Sequence, residues 1–385
     1  MDIPLRPEVL RWARERARLD VETLAKRLGA SPARVESWES DGRIRPKQVE
    51  KLARATHTAV GLLYLPEPPV ETLPVPDFRT LRDEEMRTPS PDLLDVIDQA
   101  RQRQDWFRDY LVSAGEDPLD WVGSLRTDMP IGVAAGHVRR AMAVDTELRR
   151  SASTWEEALR LQIALIEEHG AMVMRSGIVG NDTHRPLSVD EFRGFALADS
   201  YAPLIFINAT DTKSAQMFTL AHELMHIWVG VSGVSNLDKT YPADGAIERF
   251  CNAVAAELLV PADELRAAWK DARTKADPEG ALTRRFKVSR IVILRRLRDL
   301  DMISRDTFLR QYREQQEVFE QQQERRAPGG DFYNTQRSRT GDRFARALVE
   351  SALEGRTPYR DALRLLGMSN VETFHRFARE LRFTV

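Results

Sequence analysis

The stretch Leu220-Ala221-His222-Glu223-Leu224-Met225-His226-Ile227-Trp228 decides how the rest of the chain is read. It has the form H-E-x-x-H. On an α-helix, residues four apart lie one turn apart on the same face, so His222 and His226 can aim two imidazoles at one metal ion. Glu223, between them, can reach a water at an open coordination position. Two neutral nitrogen ligands, an open position and a carboxylate base are what a metalloprotease needs. Phe218, Leu220, Ala221, Leu224, Met225, Ile227 and Trp228 are apolar, as a buried helix requires. The plainer reading is a chance pattern on a core helix, and the surroundings have to decide.

A zinc site of this kind takes a third protein ligand. Residues 246–261 read as a helix ended by Pro261. Within it Glu248 and Asn252 are four apart and can share a face, with Glu248 binding the metal and Asn252 hydrogen-bonding a ligand. Glu257 lies about 180° further round the same helix and is the weaker ligand. Asp238 and Asp244, in the preceding loop, remain alternatives.

Upstream of the motif, Trp155 to Glu168 has the spacing of an amphipathic helix. Ala171-Met172-Val173-Met174 reads as a strand. Phe192 to Ala198 and Pro203 to Asn208 read as two further strands at hairpin distance. Helix, short sheet and active helix make an α+β catalytic domain within a mostly α chain. A substrate that adds as a strand to a sheet edge is held along such a cleft. Leu204 to Asn208, with Leu204, Phe206 and Asn208, is the expected edge.

The runs "FTLAHELMHIWVG" and "IERFCNAVAAELLVP" resemble the ImmA/IrrE metallopeptidase family, whose pattern is H-E-x-x-H and then E-x-x-A-N-x-F-A-x-x-L-L-x-P. "FRGFALAD", "PLIFIN" and "QMFTLAHE" are similar to its longer members. The resemblance implies a zincin-like fold, one Zn2+ per chain on His222, His226 and Glu248, and Glu223 as catalytic base. The chain departs from the pattern at Cys251, commonly Ala, and at Val254, commonly Phe; both are packing positions. An oxyanion in such a site needs a further donor, for which His184, Tyr201 and Tyr241 are the candidates.

Residues 1–65 suggest four short helices: Pro7 to Arg18, one capped by Asp20 and stopped by Gly29, one starting at Ser31-Pro32, and Pro46 to Thr56. Residues 19–56, "LDVETLAKRLGASPARVESWESDGRIRPKQVEKLARAT", resemble the phage-repressor (Xre) type of helix-turn-helix. That resemblance puts Ser31, Pro32, Ala33, Arg34 and Ser37 near bases and Arg43, Arg45 and Lys47 near phosphates. Thirteen Lys/Arg against nine Asp/Glu in this segment agree with DNA as partner. A docking or dimerisation module is the alternative.

Prolines 66, 68, 69, 74 and 76 make a stiff linker, followed by helices from Ser90 to Ala114 and from Ile131 to Val144. Residues 66–150 form a linker and helical arm suited to packing on the catalytic domain or to dimer contacts, 151–310 the peptidase domain, and 311–385 a helical carboxy-terminal module. Residues 282–304 have the outline of a second helix-turn-helix, with Arg284, Arg285, Lys287, Arg290, Arg295, Arg296 and Arg298 as its basic groups. The preferred reading is a helical pair packed on the peptidase core with an arginine-coated outside. Phe308 to Arg326 is a Gln/Glu/Arg-rich, solvated helix, broken at Ala327-Pro328-Gly329-Gly330.

The chain has 385 residues, room for two or three domains. It is 42% hydrophobic and 30% charged, with net charge -2. No global field calls for nucleic acid or a membrane, so any basic patch is local. Cys251 is the single cysteine, which excludes an internal disulfide and agrees with a reducing compartment. There is no apolar signal core at Met1-Asp2-Ile3-Pro4 and no run long enough to span a bilayer, so the expectation is a cytoplasmic protein.

Two functions follow. One is a zinc endopeptidase joined to a DNA-binding domain, which regulates transcription or a stress response by cleaving a protein such as a repressor. The other is a non-proteolytic repressor or antitoxin, whose peptidase-like fold senses a partner such as a toxin.

Overall fold

The computed structural model describes residues 2–78, 88–143, 152–235, 245–323 and 332–384. Val144, Asp238, Tyr241, Asp244 and Ala327 to Gly330 lie outside the described residues. Two compact units emerge: Met1–Pro74 with Leu81–Asp98, and Val75–Thr80 with Gln99–Val385. The chain is mostly helical with a small mixed sheet in the second unit, as the α+β expectation has it. No described helix is long and apolar enough to cross a membrane.

The first unit contains α1 (Pro7–Arg16), α2 (Val21–Leu28), α3 (Pro32–Asp41) and α4 (Pro46–Ala55), with a two-residue ladder between β1 (Ile3–Pro4) and β2 (Arg43–Ile44). α2 starts where Asp20 accepts the Thr23 N–H and ends at Gly29, whose φ of 63° only glycine adopts without strain. Pro32 starts α3; the Ser31 hydroxyl makes no capping bond. Val9, Leu10, Leu24, Leu28, Val35, Trp38, Val49 and Leu52 are buried together. The Arg14 guanidinium grips both oxygens of Glu39, at 2.7 and 2.9 Å, and so ties α1 to α3. This arrangement is compatible with a helix-turn-helix. Ser31, Arg34, Arg43, Arg45 and Lys47 are exposed, while Ser37 is half-buried.

In the second unit, the strands β3 (Met172–Ser176), β7 (Leu204–Asn208), β6 (Gly194–Leu197) and β8 (Gly233–Ser235) form one sheet in that order. A short hairpin, β4 (Ile178–Val179) with β5 (Asp182–Pro186), follows β3. β7 runs parallel to β3 and antiparallel to β6; β8 is antiparallel to β6. The expectation that Leu204, Phe206 and Asn208 form the edge is therefore wrong. β3, distant in sequence, takes β7's second ladder and makes it an interior strand, and all five of its residues are buried. The edges of the sheet are β3 and β8.

Helices pack on this sheet and on one another. α5 (Pro91–Ala114) enters the unit at Gln99, and α6 (Ile131–Ala141) follows it; α7 (Trp155–Glu168) packs on β3 and α8 (Lys213–Val229) lies on the sheet; α9 (Ala246–Leu259) packs on α8 and α6. α10 (Ala262–Ala272), α11 (Pro278–Phe286), α12 (Arg290–Asp299) and α13 (Arg305–Gln323) continue the chain. Leu282, Phe286, Val292, Ile293 and Leu297 are buried in the core of the unit, which supports the packing reading of that segment, but its arginines are not all on the outside. Arg296 is buried against Glu257, and Arg290, Arg295 and Arg298 pair with Asp277, Asp299 and Asp301. α14 (Phe332–Thr340), α15 (Asp342–Leu353), α16 (Tyr359–Leu366) and α17 (Val371–Glu380) close the chain, with α14 and α15 against β3.

Candidate metal centre

α8 begins where Thr212 accepts the Ala215 N–H at 3.2 Å and stops at Gly230, in the left-handed region at φ 79°. Every residue from Ala215 to Trp228 is buried. Within this apolar helix Gln216, Thr219, Glu223 and His226 recur at three- and four-residue spacing, which gathers the polar groups on one stripe. Gln216 is satisfied by the carbonyls of Ala209 and Asp211, and Thr219 by that of Ala215. At the other end, the main chain of Gly123 and Leu125 caps the carbonyls of Ile227 and Trp228.

His222, Glu223 and His226 have no exposed surface, and Glu248, on α9, is 4% exposed. The Nε2 atoms of His222 and His226 are 3.0 Å apart. Glu248 reaches them both, at 3.3 Å from His222 and 2.8 Å from His226. Zinc bonds of about 2.0–2.1 Å place tetrahedral ligand atoms roughly 3.3 Å apart, so this triangle fits such an ion. The donor chemistry fits too. Two imidazole nitrogens so close cannot satisfy each other unless one is protonated, and a central cation satisfies all three groups. Among the described residues, these three make the group of His, Cys, Asp and Glu that could hold a metal.

The electrostatics separate the two carboxylates. Burial and the Glu248 charge push the Glu223 carboxyl well above the usual range, and the nearby Ser235 hydroxyl offsets only part of this. Burial would also raise Glu248, but the two imidazoles outweigh it and hold the carboxyl at about 2. One group is therefore a permanent anion suited to a cation, and the other holds a proton readily, as a general base must on its way to acting as an acid. Burial lowers the His226 pKa, keeping its ring neutral.

Several expected residues fall elsewhere. Asn252 is half-buried, and no hydrogen bond joins it to the ligand side chains; the group that does approach them is the Ser235 hydroxyl of β8, 3.3 Å from His222 Nε2. Glu257 faces away and pairs with Arg296 and Arg139. His184 is exposed on β5, and Tyr201 sits half-buried in the turn after Asp199. Neither makes a hydrogen bond or ring contact with the site. Cys251 is buried and its thiol is pushed up by that burial.

Three residues of the site were missed in the sequence: Ser235, Gly194 and Phe78. A Cβ on Gly194 would lie 2.7 Å from Thr219 Cγ2 and 3.1 Å from Glu223 Oε1, so glycine lets α8 approach the sheet. Phe78 stacks on His226, ring centroids 5.4 Å apart and 21° from parallel. Glycine at 194 between apolar residues was a readable signal of close approach; Gly-Val-Ser and a lone Phe in a proline-rich linker were not.

No curated protein matches the chain. Residues 340–380 match a family described as a domain of unknown function (DUF8813). Residues 166–298 match the family described as the IrrE N-terminal-like domain, of peptidase family M78. Neither match reaches the amino-terminal helices. The segment carrying His222, Glu223, His226, Ser235 and Glu248 is thus similar to the IrrE N-terminal-like peptidase domain.

Proposed function

We propose that the chain is a zinc-dependent endopeptidase of the cytoplasm that acts as a regulator by cutting a protein such as a repressor. The buried triangle of His222, His226 and Glu248, with the Glu223 carboxyl one residue from the first ligand, carries this reading. Zinc, when bound, would lower the pKa of a coordinated water towards neutrality and polarise a peptide carbonyl. His222 and His226 are held by α8 and Glu248 by α9, so the ligand set depends on packing rather than on a loop. Glu223 takes the proton of the attacking water and returns it to the departing amine. The Ser235 hydroxyl, 3.3 Å from His222 Nε2, also lies near the Glu223 carboxyl.

The amino-terminal helices supply the second part of the proposal. Arg43, Arg45 and Lys47 are exposed beside α3, where DNA phosphates would meet them, and Arg34 is exposed on α3, where bases would. The test uses the full chain. Zinc content is measured with cleavage of a co-encoded repressor, in wild type and in Glu223→Gln. The variant should keep the metal and lose at least about 100-fold in cleavage. Full biological activity in Glu223→Gln would sink the peptidase and leave the repressor or antitoxin reading. The double variant Arg34→Ala/Arg45→Ala should abolish a gel shift with zinc content unchanged; an undiminished shift would refute DNA contact through this face.

A further inference from the structure

The β8 edge beside the metal ligands is already occupied. Within the second unit, Asp77 lies opposite Val234 in a parallel bridge. The Phe78 N–H donates to the Val234 carbonyl at 3.0 Å, and the Val234 N–H donates to the Pro76 carbonyl at 3.0 Å. Gly233 and Ser235 turn their backbone groups towards β6, so the outward pair of β8 belongs to Val234, and both of its members are used. Phe78 then lays its ring on His226. Gly233 makes room for that ring: a Cβ there would clash with it. Pro76 and Asp77 are exposed on the far side, as an outermost strand should be. These residues come from outside the segment that matches the peptidase family.

We propose that Pro76–Phe78 is a built-in occupant of the peptide-docking edge. An extended polypeptide reaches the metal ligands only after this segment lets go of Val234 and His226. The proposal rests on the peptidase reading for the identity of the incoming chain, but not for the contact itself. A strand held by two main-chain hydrogen bonds and one ring can be displaced by another strand making the same bonds, because main-chain pairing is indifferent to sequence. Phe78 adds what a passing peptide lacks, a ring fitted to His226 and Gly233.

The test is a lock. Asp77→Cys with Val234→Cys joins the two bridge partners by a disulfide, and the one native thiol, Cys251, is buried. Three rates are measured on the zinc-loaded full chain, with and without a phosphine reductant: zinc withdrawal by a coloured chelator, hydrogen exchange of the residue 234 amide, and hydrolysis of labelled casein as an extended-chain probe. The oxidised lock should slow all three, and reduction should restore them. Phe78→Ala and Gly233→Ala, which release the ring from opposite sides, should each speed zinc withdrawal about tenfold. Equal rates in the oxidised and reduced lock would overturn the proposal, as would wild-type rates in both release variants. If zinc withdrawal and amide exchange follow the lock but neither casein nor the co-encoded repressor is cut, the peptidase reading fails and the segment stands as a gate to the metal.

Discussion

The two edges of the central sheet are closed in different ways. On β3, the outward backbone groups belong to Val173 and Arg175. The Val173 N–H goes to the carboxyl of Glu167, and the Arg175 carbonyl accepts from the Ser338 hydroxyl at 3.3 Å. Gly341, at φ 78°, brings the α14–α15 turn so close that a Cβ would sit 3.0 Å from the Val173 carbonyl. On β8, three residues of main chain do the covering. A sheet edge left bare invites pairing with another chain, so both devices protect the fold. Side chains and a helix turn cannot be exchanged for a passing peptide, however, whereas a paired strand can. His222, His226 and Glu248, the group that could hold a metal, lie at the edge with the exchangeable cover.

If the β3 cover is permanent, breaking it should cost stability and leave the metal centre intact. Arg103, on α5, is 8% exposed and has no carboxylate partner among the described residues. Its guanidinium donates to the carbonyls of Leu365 at 2.9 Å and Arg339 at 3.4 Å, at the ends of α16 and α14. Burial lowers its pKa to about 10, so it still carries its charge and complements those helix ends. Arg103→Ala leaves a cavity and two carbonyls without a donor, and should destabilise the second unit by about 2–4 kcal/mol in urea. Zinc affinity of the folded protein should stay within about twofold. A loss below about 0.5 kcal/mol would show that α14 to α16 are not fastened to the sheet in this way.

This contrast was only partly legible in the sequence. His222, Glu223 and His226 sit on one helix, and Glu248 is marked by its own helix and terminator, so local periodicity finds them. Strand order is a different kind of fact. β7 and β3 pair across a long separation, and nothing in Leu204–Asn208 says which neighbours it has; its unbroken apolar run was the available hint that it is buried on both faces. β8 has three residues, too few to show alternation. Pro76 and Phe78 read as spacer because proline-rich segments are usually solvated, and their hydrogen bonds depend on a strand more than a hundred residues away. Arg296 looked like a surface cation for the same reason: its partner Glu257 is supplied by another helix.

The smallest expected effect concerns Glu167, the side chain on the β3 edge that titrates. Its Oε1 accepts from the N–H groups of Asp342 at 3.0 Å and Arg343 at 3.4 Å. Burial is the main cause that raises its pKa from 4.5 to about 7, with the Asp342 charge adding to it and the hydrogen bonds opposing it. The folded state therefore holds this proton more tightly than the unfolded chain does. The stabilisation is complete below about pH 4.5 and is lost as pH rises through about 7. Asp342, held low by Arg337 and Arg346 despite its burial, titrates below that window. Wild type should lose about 1–2 kcal/mol between pH 5 and pH 8, after allowance for solvent screening, relative to Glu167→Gln. Glutamine keeps an acceptor for the N–H groups of Asp342 and Arg343 and has no proton to lose. Parallel stability profiles for the two proteins across this range would mean that the edge is closed without a proton on Glu167. The β8 edge carries no Glu167, and Glu167→Gln should leave amide protection at residue 234 as in wild type.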